Sequence, residues 1–331
     1  MDQEHNGTVH GKGNIWAAVV ADSINTWGDR LLTFRLHYPR FIHAEFMTHR
    51  MFSRNASSSR AIPVKNVLAQ VRETPAMPIH WGKNQAGMQA SGELDVDVIL
   101  PNYLVDWHEE IMKHATLDRE HAWKEAADQA AYFAEAMMEA GYHKQVVNRL
   151  LEPFQFMNVV MSSTDMRNFY HLRDHADADP NIAELARCMH EAELHSMPQV
   201  LRHGEWHVPY VRTMRTGDGV LRYFDEEVEL SPDDAQKVSA SCAAQASYRK
   251  LDTTIEKALN IYDRLVESEP IHASPFEHVA TPFHETENMA RKRASAFLRD
   301  AEVDNPDQVM YCGNFRGWTQ LRKTFPNENV T

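Results

Sequence analysis

Apolar positions gather early in the chain in two short runs, WAAVV at 16–20 and RLLTFRL at 30–36, with a glycine-containing turn between them. Runs of this length bounded by turn formers predict two strands of a hairpin. The polar residues 1–14 predict a loose tail. Pro39 opens a helical pattern in which Phe41, Ala44, Phe46, Met47 and Met51 are apolar. From 54 to 63 the periodicity stops. Residues 72–99 read as a connection carrying Pro, Gly and Gln, long enough to predict a functional segment. From Pro101 a helical region runs to Gly141, where a residue without Cβ penalty in the left-handed conformation ends it. A short helix is expected over 143–151, a buried strand over 154–162, a helix over 164–173 capped by Thr164 or Asp165, and another from Pro180 to about His195. GEWHVPYVR (204–212) reads as extended. Ser231 as N-cap, Pro232 at the first helical position and acids in the first turn predict a helix over 231–248. LDTTIEKALNIYDRLVES (251–268) predicts an amphipathic helix and PFEHVATPF (275–283) a strand. Few strands beside long helices give an α+β fold class, and no composition break marks a second domain.

Composition narrows the function. With 331 residues, 43% of them hydrophobic, the chain can bury a large core. A net charge of −13 disfavours binding to nucleic acid or an anionic membrane. There is no apolar run of membrane-spanning length, and the N-terminus lacks a signal-peptide centre, so a cytoplasmic protein is expected. Cys188, Cys242 and Cys312 are far apart, form no CxxC motif and read as reduced thiols. Against this acidic background EFMTHRMFSRNASSSRAIP (45–63) stands out. It gathers Arg50, Arg54 and Arg60 with Ser53, Ser57, Ser58 and Ser59. Guanidinium forks among small hydroxyls suit a phosphate or carboxylate, which accepts several charge-assisted bonds. Composition alone equally fits a solvated basic helix end that complements its dipole.

Spacing separates the two. His49-Arg50, seven residues, Ser58 and then Arg60 resembles the signature of the flavin-dependent thymidylate synthases, Arg-His-Arg, seven residues, Ser, with Ser53 and Asn55 also at signature positions. The preceding TFRLHYPRFIHAEF resembles the family's strand and helix leading into that motif. VVNRLLEP, with Arg149 and Pro153, and RNFYHLR, with Asn168 and Arg173, resemble two further family segments. AAQASY (243–248) and HASPFEH (272–278) resemble the family's N-terminal region, yet lie near the far end of this chain. The resemblance therefore implies one catalytic domain in circularly permuted form, with a mainly antiparallel sheet packed by long helices. Its parts are 15–63, 100–195 and a relocated 231–283, while 64–99, 196–230 and 284–331 are additions. Such cuts are tolerated where termini lie close at a surface.

The resemblance also implies chemistry. Family members transfer the one-carbon unit of methylenetetrahydrofolate to C5 of dUMP, with hydride from reduced FAD and NADPH as the source of electrons. By carry-over, Ser58, Ser59, Arg60, Arg149 and Glu45 belong to the substrate site. Arg173 contacts the pyrimidine edge and takes the catalytic role of polarising the ring. His49, Arg50, Met51, Ser53, Asn168, Ser247, His272 and Ser274 line the flavin site. Family members are homotetramers, so a homo-oligomer is expected, with neither nucleic acid nor membrane as partner. Three positions depart from the family: Thr48 replaces its first signature Arg, Glu45 a Gln, and Ala56 a Glu. Aligning the C-terminal YCGNFRGWTQLRKTF as a second helix brings Arg322 level with Thr48, so Arg322 or Arg316, with Gln320, is expected to restore the lost contacts. The departures leave two alternatives open: a flavin-dependent C5 methylase or hydroxymethylase of dCMP or dUMP, and a non-catalytic nucleotide or flavin binder. The paired histidines of HEAELH and HGEWH lack the spacing of a zinc site, so no metal is expected. Cys242 reads as a small buried residue and not as a nucleophile.

Overall fold

The computed structural model describes residues 7–87, 90, 92–100, 115–246, 254–300 and 311–328. At its centre is a mainly antiparallel sheet. Trp16–Asn25 and Arg30–Pro39 form the expected hairpin, paired from Trp16↔His37 to Ile24↔Arg30. Asn25 builds the turn, its Oδ1 accepting from the backbone N–H of Trp27 and of Asp29, each at 2.9 Å. Phe156–Ser163 pairs with the far side of the 30–39 strand, and Ser53–Ala56 adds beyond it. On the other flank Val9–His10 pairs with the 16–25 strand and Gln199–Leu201 joins that strand in parallel.

The alternation along 30–39 sends side chains to two different cores, as the two-residue strand period demands. Leu32, Phe34 and Leu36 face the helix Pro180–Leu194, with Ile182, Leu185, Ala186 and Met189 buried between them. Leu31 faces the opposite way, into a core built by Leu201, Val208, Val238, Phe276, Val279, Phe315 and Trp318. A third cluster joins the helices Val64–Glu73 and Arg119–Glu139 through Val64, Val67, Leu68, Val71, Ala127, Ala131 and Ala134. Helices and antiparallel strands thus form the α+β fold that the sequence predicts.

Several elements differ from expectation. Residues 9–14 are structured, because pairing of Val9–His10 satisfies the outer edge of the hairpin. The pattern from Pro39 yields only a 3-10 turn, Arg40–Ile42, and one helical turn, His43–Phe46. The guanidinium of Arg54 stops the helix there, its Nη1 donating to the carbonyls of Phe46, Met47 and His49 at 3.1–3.4 Å. The aperiodic 54–63 stretch begins as a strand. The helix expected from Pro101 starts at Arg119, where the Asp118 side chain caps it by accepting from the His121 N–H, and a strand, Ala115–Leu117, precedes it. Residues 101–114 lie outside the described residues. The 167–173 helix has Met166 at its N-cap position, with Asp165 accepting from the Arg167 N–H instead. PFEHVATPF is a 3-10 turn, Ser274–Glu277, followed by the short strand Ala280–Pro282. GEWHVPYVR meets the 280–282 strand at the His207↔Ala280 bridge, and its last residue, Arg212, begins the strand Arg212–Arg215.

The C-terminal stretch is not a helix. Tyr311–Cys312 and Phe315–Arg316 form a hairpin, and Trp318–Gln320 pairs with 280–282. Gly313 and Gly317, at φ +64° and +76°, supply turns that residues with side chains rarely adopt. At Gly317 a Cβ would stand 2.4 Å from Asp29 Oδ2 and 2.8 Å from Asn25 Nδ2.

A buried polar seam ties this region to the sheet. Ser23 Oγ meets His207 Nδ1 at 2.8 Å, His207 Nε2 meets Thr33 Oγ1 at 2.8 Å, Thr33 meets Ser162 at 2.6 Å, and Ser162 meets His278 Nδ1 at 2.8 Å. Both imidazoles are fully enclosed, and burial holds each down at about 3. Both are therefore neutral; His207 bonds at both ring nitrogens, while His278 ends the seam at Nδ1 and its Nε2 is buried with no partner among the described residues.

Candidate active site

The first group of interest forms where the 167–173 helix ends against the turn after His43–Phe46. Arg173 Nε donates to His49 Nε2 at 2.9 Å, its Nη1 donates to Glu45 Oε1, and its Nη2 lies 3.4 Å from Thr48 Oγ1. Because a guanidinium only donates, His49 accepts at Nε2 and carries its proton on Nδ1. Burial, reinforced by Arg173 and Arg54, holds His49 down at about 4. Phe52 stacks on the imidazole and Phe169 meets it edge-on, ring centres 5.7 and 4.8 Å away, so the base of the cluster is rigid. Four positions singled out in the sequence, Glu45, Thr48, His49 and Arg173, thus meet although 124 residues separate His49 from Arg173.

The second group holds the motif strand. Ser53 is buried, with its Oγ 3.1 Å from Asn314 Oδ1 and 3.3 Å from Gln320 Nε2. Gln320 also donates to Asn314 Oδ1 at 2.9 Å, and Asn314 Nδ2 donates to the Met51 carbonyl at 3.0 Å. The Ser53 hydroxyl is therefore engaged within the chain. Arg322 pairs with Glu277 and, at 2.8 Å, with Glu328, while Arg316 pairs with Asp29 at 3.0 Å. Neither arginine stands at Thr48, because the C-terminal residues run as a hairpin and a 3-10 turn, not as a second copy of the motif helix. The partner beside Thr48 is Arg173. Gln320 does reach the motif, at Ser53, and Asn314 is a contact that the sequence did not reveal.

The third group fixes the serine loop. Ser57 Oγ accepts from the Asn158 N–H at 3.1 Å. Ser59 Oγ donates to Glu152 at 3.1 Å, and Asn148 Nδ2 donates to the carbonyls of Ser59 and Ile62 at 2.7 and 2.9 Å. Lys144 Nζ donates to the Ala61 carbonyl at 2.8 Å. Ser58 Oγ accepts from the Arg60 N–H at 3.2 Å, a small turn that leaves the Arg60 side chain exposed. Arg149, also exposed, lies 3.7 Å from Glu152. Glu152 is the anchor here, since Arg40 also donates to it at 2.9 Å. Neither Asn148 nor Glu152 was singled out from sequence, although both lie in the VVNRLLEP segment around Arg149.

The other expected positions are scattered more widely. Arg50, next to His49, and Asn168, in the helix that ends at Arg173, are both exposed. His272 is exposed, and Ser274 begins the 274–277 turn. Ser247 lies outside the described residues. That turn packs on the motif strand, and Asn55 Nδ2 reaches the Ala243 carbonyl at 3.5 Å, while Asn55 Oδ1 is buried without a partner among the described residues. The 231–283 region and the motif are therefore neighbours.

Among the described residues no group of three His, Cys, Asp or Glu could hold a metal, and no helix is long and apolar enough to cross a membrane. Comparison with the curated proteins gives no match. The family model described as thymidylate synthase complementing protein matches residues 30–199. That span carries the motif strand, the serine loop, the Arg149 segment and the Arg173 helix, and it is just over half of the chain. The chain thus belongs to the thymidylate synthase complementing protein family, the flavin-dependent thymidylate synthases.

Proposed function

We propose that this thymidylate synthase-type enzyme transfers a one-carbon unit from methylenetetrahydrofolate to C5 of a pyrimidine deoxynucleotide, the reaction that its family performs on dUMP. The observation that carries the reading is the convergence of Glu45, Thr48, His49 and Arg173 beside a serine loop whose backbone is fixed and whose arginine is exposed. A ring-polarising group has to be held at a set angle before substrate arrives, because preorganised dipoles cost no rearrangement during reaction. His49 supports Arg173 from behind in that way. Arg60 and Arg149 are exposed cations beside Ser58 and Ser59, a donor set that matches a nucleotide phosphate.

The donors also fit a flavin. Arg50 in the motif and Asn168 in the Arg173 helix are exposed polar groups, and His272 is exposed two residues before Ser274, which starts a turn that packs on the motif strand. When bound there, FAD reduced by NADPH would supply the hydride. The chain's own residues bind the nucleotide, orient its ring and hold His49 neutral. Ser53 and Met51 act from beneath, their polar atoms tied to Asn314 and Gln320. Exposure of Arg50, Arg60 and Asn168 suits a site completed by another subunit, so the working form is a homo-oligomer such as a tetramer. We read 231–283 as the family's N-terminal segment relocated, and its packing against the motif strand supports this. The test is to titrate the purified protein with FAD and follow the flavin absorption while adding nucleotide. Binding of flavin, perturbed by a pyrimidine deoxynucleotide and not by a purine one, is the expected result. No flavin bound with nucleotide present would refute the reading.

A further inference from the structure

We infer that the Glu45–Arg173 pair selects a pyrimidine carrying an exocyclic amine at C4, so that the preferred substrate is a cytosine deoxynucleotide and not a uracil one. The inference rests on the reading above, in which Arg173 meets the pyrimidine edge. It follows from what Glu45 does to that edge.

The two bases differ in their pattern of donors and acceptors. Cytosine offers acceptors at O2 and N3 and a donor at the C4 amine. Uracil offers an acceptor at O2, a donor at N3 and an acceptor at O4. A surface complementary to cytosine needs donors beside an acceptor, and carboxylates accept from the cytosine amine in other recognition systems. Arg173 and Glu45 provide that order. A guanidinium has five N–H donors. Three of those on Arg173 are directed at Glu45, His49 and Thr48, which leaves two without a partner among the described residues. Only Oε1 of Glu45 is held by Arg173, so Oε2 remains to accept. Half-exposed Glu45 lies next to an arginine that is itself largely covered.

Uracil meets the same surface badly. Its O4 would face a carboxylate, two acceptors with no proton between them, a contact that repels where the cytosine amine would bond. A glutamine at position 45 could turn its amide to donate to O4. The ionised carboxylate of Glu45 can only accept. Thr48 strengthens the argument, because a second arginine there would compete with Arg173 for Glu45, whereas the Thr48 hydroxyl donates to the Glu45 carbonyl at 2.7 Å and leaves the carboxylate to Arg173. The two departures from the family signature thus act together on one ion pair.

The experiment measures binding of dCMP, dUMP and dAMP to the full-length protein with FAD present, by calorimetry, for the unaltered protein and for Glu45→Gln and Glu45→Ala. The account expects dCMP to bind at least about tenfold more tightly than dUMP, the scale of one well-matched base contact. Glu45→Gln should lose that preference or reverse it, and Glu45→Ala should weaken dCMP without improving dUMP as much as glutamine does. A purely structural ion pair would instead lower affinity for both pyrimidines equally, with unfolding at lower temperature. Tighter binding of dUMP to the unaltered protein overturns the selectivity while leaving the C5-transfer reading intact. Binding of dAMP as tight as either pyrimidine, or of no nucleotide, overturns both.

Discussion

Acid should unfold this protein unusually early, and the cause is the buried seam between the sheet and the C-terminal region. His207 and His278 are enclosed and neutral, with folded pKa values near 3 against an ordinary value of 6.5. A folded state whose pKa is depressed takes up its proton later than the unfolded chain. For a histidine the stability is therefore full above about pH 6.5 and is lost as pH falls toward the folded value. At pH 5 each ring costs about 2 kcal/mol, from about 1.5 pH units at 1.36 kcal/mol per unit, and the two together about 4 kcal/mol. That is a large share of the stability of an ordinary domain. His43 and His49, each held at about 4 mainly by burial, act in the same direction and steepen the loss. Equilibrium urea unfolding between about pH 7 and pH 5 measures the effect, and proton-sensitive NMR of the two rings assigns it. His207→Gln removes one titrating ring, so it lowers stability at neutral pH and roughly halves the share of the slope that the seam contributes. Stability that stays flat down to pH 5, or a folded His207 or His278 that titrates near 6.5, would refute the reasoning.

Other substitutions test the packing and the loop. Gly317→Ala places a Cβ against Asp29 and Asn25 at a positive φ, and should cost about 1–3 kcal/mol by denaturant unfolding. Trp318 is fully buried, and its Nε1 donates to the Asp29 carbonyl at 3.1 Å, so Trp318→Ala should cost about 3–5 kcal/mol by the same measurement. Arg60→Ala should weaken nucleotide binding in calorimetry by about tenfold while the melting temperature stays unchanged, because the side chain is exposed. Gln320→Ala leaves the Ser53–Asn314 contact short of a donor in a buried setting and should cost about 1–3 kcal/mol of stability.

Periodicity served well wherever one face of an element meets one core. The 16–25 and 30–39 hairpin, the 156–163 strand and the capped helices at 180 and 232 all follow from local rules. The motif strand did not show itself, because Ser53, Arg54, Asn55 and Ala56 have no apolar alternation. It forms because the 156–163 strand has an open edge whose backbone groups need partners. The C-terminal stretch misled for the opposite reason. Phe315, Trp318 and Leu321 recur at a helix-like spacing, yet Gly313 and Gly317 break the run into turns. Two glycines four apart were the signal available. Residue types at a signature spacing pointed to His49, Ser58, Arg60, Arg149 and Arg173 as candidates, and the fold brings His49 and Arg173 of these into contact. Of the site's supports, Gln320 was expected near the motif, whereas Asn314 and Glu152 were not legible, since they reach it only through the tertiary fold.

The most direct test of the central claim is the product. The purified protein is incubated with FAD, NADPH, methylenetetrahydrofolate and either dCMP or dUMP, and the nucleotide is weighed by mass spectrometry. The account predicts a pyrimidine nucleotide heavier by a methyl or hydroxymethyl group, formed only when flavin and folate are both supplied, and favouring dCMP. Nucleotide recovered unchanged from a folded, flavin-loaded protein with either base would contradict it.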